Sequence, residues 1–259
     1  MKTINDISGP RVGTFSFLDG KDDKFIDLDT LDELSRNREL QGEAGEILER
    51  LRSYLTLHGE LPFNWTPQEA NYLRTQGKER WLEYLIYRFK FVCYPAEGTV
   101  SDFPVYLLIE PISVCNLRCV MCYQIDPSFT RKPFMGMMDL DLFRNIIDQA
   151  ADGGTGGITL ASRGEPTLHP QLPEMLDYMR GKFFEVKLTT NATRLSEELC
   201  HRILESEINQ LVFSVDAHTK DVYEQIRVRG KFEQVQANIA RFHDIRAKHY
   251  PKSPVSTRI

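Results

Sequence analysis

Cys115, Cys119 and Cys122 fall in the run VCNLRCVMCYQ, spaced C-x3-C-x2-C directly after the apolar stretch VYLLIEPI. Thiolates this close can converge on one metal centre, yet three is one short of a closed site. Structural zinc takes four ligands, and an ordinary iron–sulfur cluster takes four cysteines. A 4Fe–4S cluster on three cysteines leaves one iron open to a small molecule. An open metal position belongs to catalysis rather than to structure.

Further polar residues stand at the ends of other strand-like segments. LASRGEPTLHP brings Gly164, which permits close backbone approach, the carboxylate of Glu165, and Pro166, which stiffens the turn. TTNAT brings Asn191, and FSVDAH brings Ser214 and Asp216. Taken singly, a Gly-Glu-Pro triplet reads as a turn, and an Asn or Asp after a strand as a helix cap. Their recurrence at equivalent places beside a cysteine cluster points to a site.

The elements that must position them follow from periodicity. From Val105 onward VYLLIEPI, GGITLAS, FEVKLTTN, QLVFSVD and PVSTRI read as strands. Amphipathic segments around DLDLFRNIIDQAAD, QLPEMLDYMRGK, LSEELCHRILESE and KFEQVQANIARFHDIRAK alternate with them. This α/β alternation predicts a parallel sheet covered by helices. Right-handed crossovers would curl it into a partial (β/α) barrel, with functional loops at the C-terminal strand ends. Residues 1–100 read as an all-helical N-terminal segment and 101–259 as the catalytic core. Residues 1 to about 27 read as irregular, a helix is predicted from about Leu28 to Leu57, and a second begins at Thr66. There Thr66 is the N-cap, Pro67 the first helical residue and Glu69 the capping-box partner.

Composition narrows the class. With 41% hydrophobic residues the 259-residue chain can bury a core, and net charge −5 without long runs of one sign predicts no nucleic-acid partner. WLEYLIYRFKFVCY is broken by Glu83, Arg88 and Lys90, so no membrane span is expected. The opening MKTINDISGPRVG lacks a signal-peptide core, and three of five cysteines are clustered. Both favour metal over disulfides and a cytoplasmic setting.

C-x3-C-x2-C after a first strand, GEP after a second, TTN after a third and SVD after a fourth resemble the radical S-adenosylmethionine enzymes. FSVDAHTKDVYEQIRVRGKFEQVQANIARF is similar to the branch that often carries a C-terminal SPASM domain. The resemblance runs from about Tyr106 to the end. It implies that Cys115, Cys119 and Cys122 ligate a 4Fe–4S cluster whose fourth iron is chelated by S-adenosylmethionine. It places Gly164, Glu165 and Pro166 by the methionine amino group, and Met121 near the adenine. Asn191, Ser214 and Asp216 fall near the ribose or the methionine, and Arg227 by the methionine carboxylate. The implied reaction is reductive cleavage of S-adenosylmethionine to a 5′-deoxyadenosyl radical, which abstracts hydrogen from substrate. A low-potential flavodoxin or ferredoxin would supply the electron, and the branch leans toward peptide or protein substrates.

Arg163 stands where the family commonly has glycine, as do Ala192 in TNA and Ala217 in SVDA. The residues after Cys122 hold about four to five strand–helix units at roughly 30 residues each. The family's partial barrel has six, so a core incomplete at its C-terminus is expected. The rival reading is a non-catalytic zinc- or iron–sulfur-binding structural protein, with Cys93 or His169 as fourth ligand.

Overall fold

The computed structural model describes residues 25–36, 38–206 and 208–259. The irregular stretch expected at the N-terminus lies mostly outside them. The chain divides into two units, Met1–Val105 and Tyr106–Ile259.

The first unit is helical: α1 (Leu28–Ser35), α2 (Gly42–His58), α3 (Pro67–Thr75) and α4 (Trp81–Glu97). The single helix expected over 28–57 is interrupted. Arg36 turns extended, and the chain re-enters helix at Gly42, whose φ of 59° is left-handed. The second expected helix breaks likewise at Gln76, where the backbone becomes extended, before a 3-10 turn leads into α4. The capping box of α3 is present: the Thr66 side chain accepts from the Glu69 amide, and Glu69 Oε2 accepts from the Thr66 amide at 2.7 Å. The other carboxylate oxygen of Glu69 meets Arg88 in a buried ion pair. Leu31, Ile47, Leu51, Leu82, Leu85 and Phe89 form this unit's core.

The second unit alternates strand and helix. Its strands are β1 (Tyr106–Ile109), β2 (Gly157–Leu160), β3 (Glu185–Thr190), β4 (Gln210–Phe213) and β5 (Ser256–Arg258). All neighbours pair in parallel, in the order β1-β2-β3-β4-β5. Sequential order with right-handed crossovers keeps the helices on one face and curls the sheet, giving a partial barrel and not a doubly wound sheet. The connecting helices are α5 (Leu140–Asp152), α6 (Leu172–Met179), α7 (Glu197–Glu205) and α9 (Phe232–His249). A short α8 (Lys220–Ile226), not expected from periodicity, precedes α9. Burial alternates along β3, where Val186 and Leu188 join the core under the helices with Ile147, Met175, Ile203 and Phe242. That alternation leaves the opposite face to the barrel interior. Among the described residues no helix is long and apolar enough to cross a membrane.

Candidate metal and cofactor site

The cysteine loop leaves the C-terminal end of β1 and is held mainly by main-chain groups. The Arg118 amide donates to Val228 O and the Val120 amide to Ile226 O, both at 3.0 Å. The Cys122 amide donates to Cys119 O, and the Cys122 sulfur caps the 3-10 turn Tyr123–Ile125 by accepting from the Gln124 amide at 3.5 Å. Cys115 Sγ accepts from the Leu117 amide at 3.5 Å and from Asn191 Nδ2 at 3.8 Å. Cys119 Sγ accepts from Arg227 Nη1 at 3.6 Å. Each of the three sulfurs therefore faces at least one N–H donor.

All three thiols are free; Cys119 is buried, and Cys115 and Cys122 are half-buried. Burial pushes the Cys115 and Cys119 thiols up. The Leu117 amide opposes this at Cys115, and the Arg227 guanidinium opposes it at Cys119. Among the described residues, no three His, Cys, Asp or Glu side chains are gathered tightly enough to hold a metal ion as placed.

Glu165 follows β2 as N-cap of a turn that begins at Pro166, itself buried. Glu165 is 3% exposed, and its carboxylate accepts four hydrogen bonds. Oε1 accepts from the Thr167 amide (3.1 Å), the Thr167 hydroxyl (2.7 Å) and the Thr190 hydroxyl (2.6 Å); Oε2 accepts from the Asn191 amide (2.6 Å). Burial pushes this carboxyl up, and the four donors oppose it by favouring the charged form. Oε2, with one donor, keeps an acceptor position for a further partner. Asn191, also buried, aims its side chain at the cysteine loop: Nδ2 donates to Asn116 Oδ1 at 3.0 Å, and Oδ1 accepts from the Thr193 hydroxyl at 2.7 Å.

Gly164 is where the loops after β1 and β2 touch. A Cβ there would lie 1.8 Å from Ile112 O and 2.9 Å from Val114 O. The close backbone approach expected of this glycine is thus toward the cysteine loop itself. Beside it, the Glu165 amide donates to Val114 O at 2.9 Å, and the Gln124 amide group donates to Ser113 O at 2.8 Å and to Arg163 O. Arg163 clamps Glu110 through Nε (2.9 Å) and Nη2 (2.7 Å). Its lack of a glycine is tolerated because the left-handed residue of this turn is Ser162, at φ 100°.

The remaining predicted residues lie at the edge of this network. Arg227, expected at a ligand carboxylate, pairs with Asp216 at 2.5 Å and touches Cys119. Asp216 sits at φ 65°, so the left-handed turn after β4 falls one residue before Ala217. The Ser214 amide bonds Thr190 O, which ties β4 to the end of β3. Met121 is 59% exposed on the outer side of the loop and has room for a partner. His169 does not offer a fourth ligand: Nε2 bonds Met138 O at 2.9 Å, and Nδ1 accepts from the Gln171 amide at 3.1 Å. Cys93 is buried within α4.

Sequence reasoning missed Asn116, Gln124, Thr167, Thr190 and Thr193, which supply most of the network. The signal available was position: Thr190 and Thr193 flank Asn191, and Gln124 lies two residues after Cys122.

The strands form a parallel partial barrel, and the loop after its first strand carries three free cysteines. The family model of the radical SAM superfamily matches residues 109–253, and the chain belongs to that superfamily. The family uses a 4Fe–4S cluster together with S-adenosylmethionine.

Among curated relatives, a tungsten-containing aldehyde ferredoxin oxidoreductase cofactor-modifying protein of Pyrococcus furiosus is 34% identical over 117 residues, 43% of this chain and 30% of that protein. Mycofactocin maturase MftC of Mycobacterium tuberculosis is 30% identical over 132 residues, 51% of this chain and 32% of that one. The chain thus spans about a third of the length of these relatives. Of solved structures, Streptococcus suis SuiB aligns with a TM-score of 0.50 at 16% identity, covering 80% of this chain and 47% of SuiB.

The donor set fits the family's cluster. Three free thiols would supply one ligand to each of three irons. N–H groups at every sulfur match the hydrogen bonding by which proteins tune such clusters. His169, a rival ligand, has both nitrogens engaged.

Proposed function

We propose that this chain is the core of a radical SAM enzyme in which Cys115, Cys119 and Cys122 hold a 4Fe–4S cluster. The observation that carries the reading is the convergence of three strand-end loops on the cysteines. Asn191 reaches Cys115, Arg227 reaches Cys119, and the backbone of the β2 loop docks against the cysteine loop. When bound, the cluster and S-adenosylmethionine supply a 5′-deoxyadenosyl radical that abstracts hydrogen from substrate.

The residues of the chain bind, orient and exclude solvent. Glu165 fixes the β2 loop to the end of β3 and offers the free acceptor position of Oε2 to the amino group of S-adenosylmethionine. Gly164 and Pro166 hold that loop's path. Met121 presents a thioether for contact with the adenine. Ser214 and Asp216 line the same strand ends, and the buried network around Asn191 keeps water from the thiolates. One relative is a maturase by its name, and this is the support for a peptide or protein substrate. An electron donor of flavodoxin or ferredoxin type and a cytoplasmic setting complete the reading.

The test is anaerobic reconstitution with iron and sulfide, followed by EPR of the reduced protein with and without S-adenosylmethionine. A cluster signal that shifts on adding S-adenosylmethionine, with release of 5′-deoxyadenosine, is expected. Cys119→Ala should lose it. A colourless protein carrying stoichiometric zinc would refute the reading.

A further inference from the structure

Arg227 stands opposite Cys119 for a reason visible in the backbone. The two main-chain bonds that tie the loops, Arg118 to Val228 and Val120 to Ile226, bracket this pair in antiparallel register and set residue 119 against residue 227. The N–H groups that reach cysteine sulfurs are those of Leu117, Gln124, Asn191 and Arg227. The first three are neutral, and Arg227 carries a full charge. Its side chain is 13% exposed, so solvent screens that charge little. Asp216 grips Nη2 at 2.5 Å, while Nε is buried without an acceptor among the described residues. The guanidinium is therefore held where it meets the sulfur and not where its own hydrogen bonding would be complete.

Resting on the cluster reading above, we propose that Arg227 is a positioning residue that sets the potential at which a cluster on Cys119 accepts its electron. The reductant, a low-potential protein donor or dithionite, delivers one electron. That electron adds one negative charge to the cluster and its thiolates. A fixed cation at one thiolate favours the more negative state, and hydrogen bonds and charge at the sulfurs are established levers on such potentials. Asp216 works against it by sharing the arginine's charge.

The experiment is an EPR-monitored potentiometric titration of the anaerobically reconstituted chain, with iron content measured alongside. Arg227→Gln should lower the reduced-to-oxidised ratio at a fixed potential about tenfold, which is about 59 mV for one electron. Arg227→Lys, which keeps the charge and loses the fork, should fall between the wild type and Arg227→Gln. Asp216→Asn should move the potential upward. An Arg227→Gln potential equal to wild type overturns the proposal. So do Arg227→Gln and Asp216→Asn shifts of the same sign, because a merely structural disturbance has no reason to be antisymmetric. If Arg227→Gln takes up no iron, Asp216→Asn decides: a rise supports the proposal, and no change or a fall overturns it. A wild-type chain that takes up no cluster sinks the underlying reading, and this one with it, before any variant is titrated.

Discussion

Replacing Gly164 with Ala tests whether the contact between the β1 and β2 loops organises the site. The added methyl would sit 1.8 Å from Ile112 O, 2.6 Å from Ile112 C and 2.9 Å from Val114 O, all of them backbone atoms. No side chain can swing aside, so the loops must part by more than 1 Å to restore ordinary contact. Parting them breaks the bond from Glu165 to Val114 and the one that Gln124 makes across the seam to Arg163. At about 1 kcal/mol each, with about 1–3 kcal/mol for overpacking, the expected loss is about 3–5 kcal/mol. For a unit of this size each kcal/mol is worth about 2–4 °C, so thermal unfolding followed by circular dichroism should move down by about 6 °C or more. Iron uptake should fall with it. Gly154→Ala is the control. Its φ of 78° makes it left-handed, but no atom lies within 4 Å of its added methyl, so only about 1–2 kcal/mol of backbone strain is at stake. A Gly164→Ala protein that melts within about 2 °C of wild type and binds full iron would refute the argument.

Three more expectations follow from single positions. Glu165→Gln sets an amide NH2 against the Asn191 amide or against the Thr167 and Thr190 donors. It should cost about 2 kcal/mol of stability in the metal-free protein, and an unchanged denaturation midpoint would count against the scaffold role. Ala192→Gly should be close to neutral although the site is fully buried. Relief at φ 60°, about 1–2 kcal/mol, offsets a lost methyl (about 0.8 kcal/mol) and unfolded-state entropy (about 0.4–1 kcal/mol). A loss beyond about 2 kcal/mol would contradict this. Burial pushes the Cys93 thiol up to about 12, so at pH 8 its thiolate is scarce. Peptide mapping should show it alkylated far more slowly than an exposed thiol until pH approaches 12 or the protein unfolds; rapid labelling of the native protein would disprove the burial argument.

The alternation of strands and helices in the second unit was legible because short apolar strands and amphipathic helices differ in period. The order of the sheet followed from crossover handedness. The cysteine triplet and the strand-end motifs were legible as residue types. Where those side chains point was not. Asn191 and Glu165 read as ligand-facing polar groups, yet much of their hydrogen bonding is spent on Thr190, Thr193, Asn116 and Thr167. Threonines give no distinctive pattern in a strand-rich sequence, where they are common for their branching. The breaks near residues 36–41 and 76–77 escaped periodicity because apolar spacing continues across them. Ala192 and Ala217 looked equivalent as glycine replacements, but only Ala192 bears a positive φ; in the other turn Asp216 takes it.

The cysteine loop is fastened in good part by its own peptide groups, through the amides of Leu117, Arg118, Val120, Cys122 and Gln124. A peptide bond is the same whatever side chain it carries. Val120 and Met121 are 56% and 59% exposed, so these positions can change character without loosening the thiols behind them. The loop thereby separates a grip made of backbone from an outward face whose side chains that grip does not use.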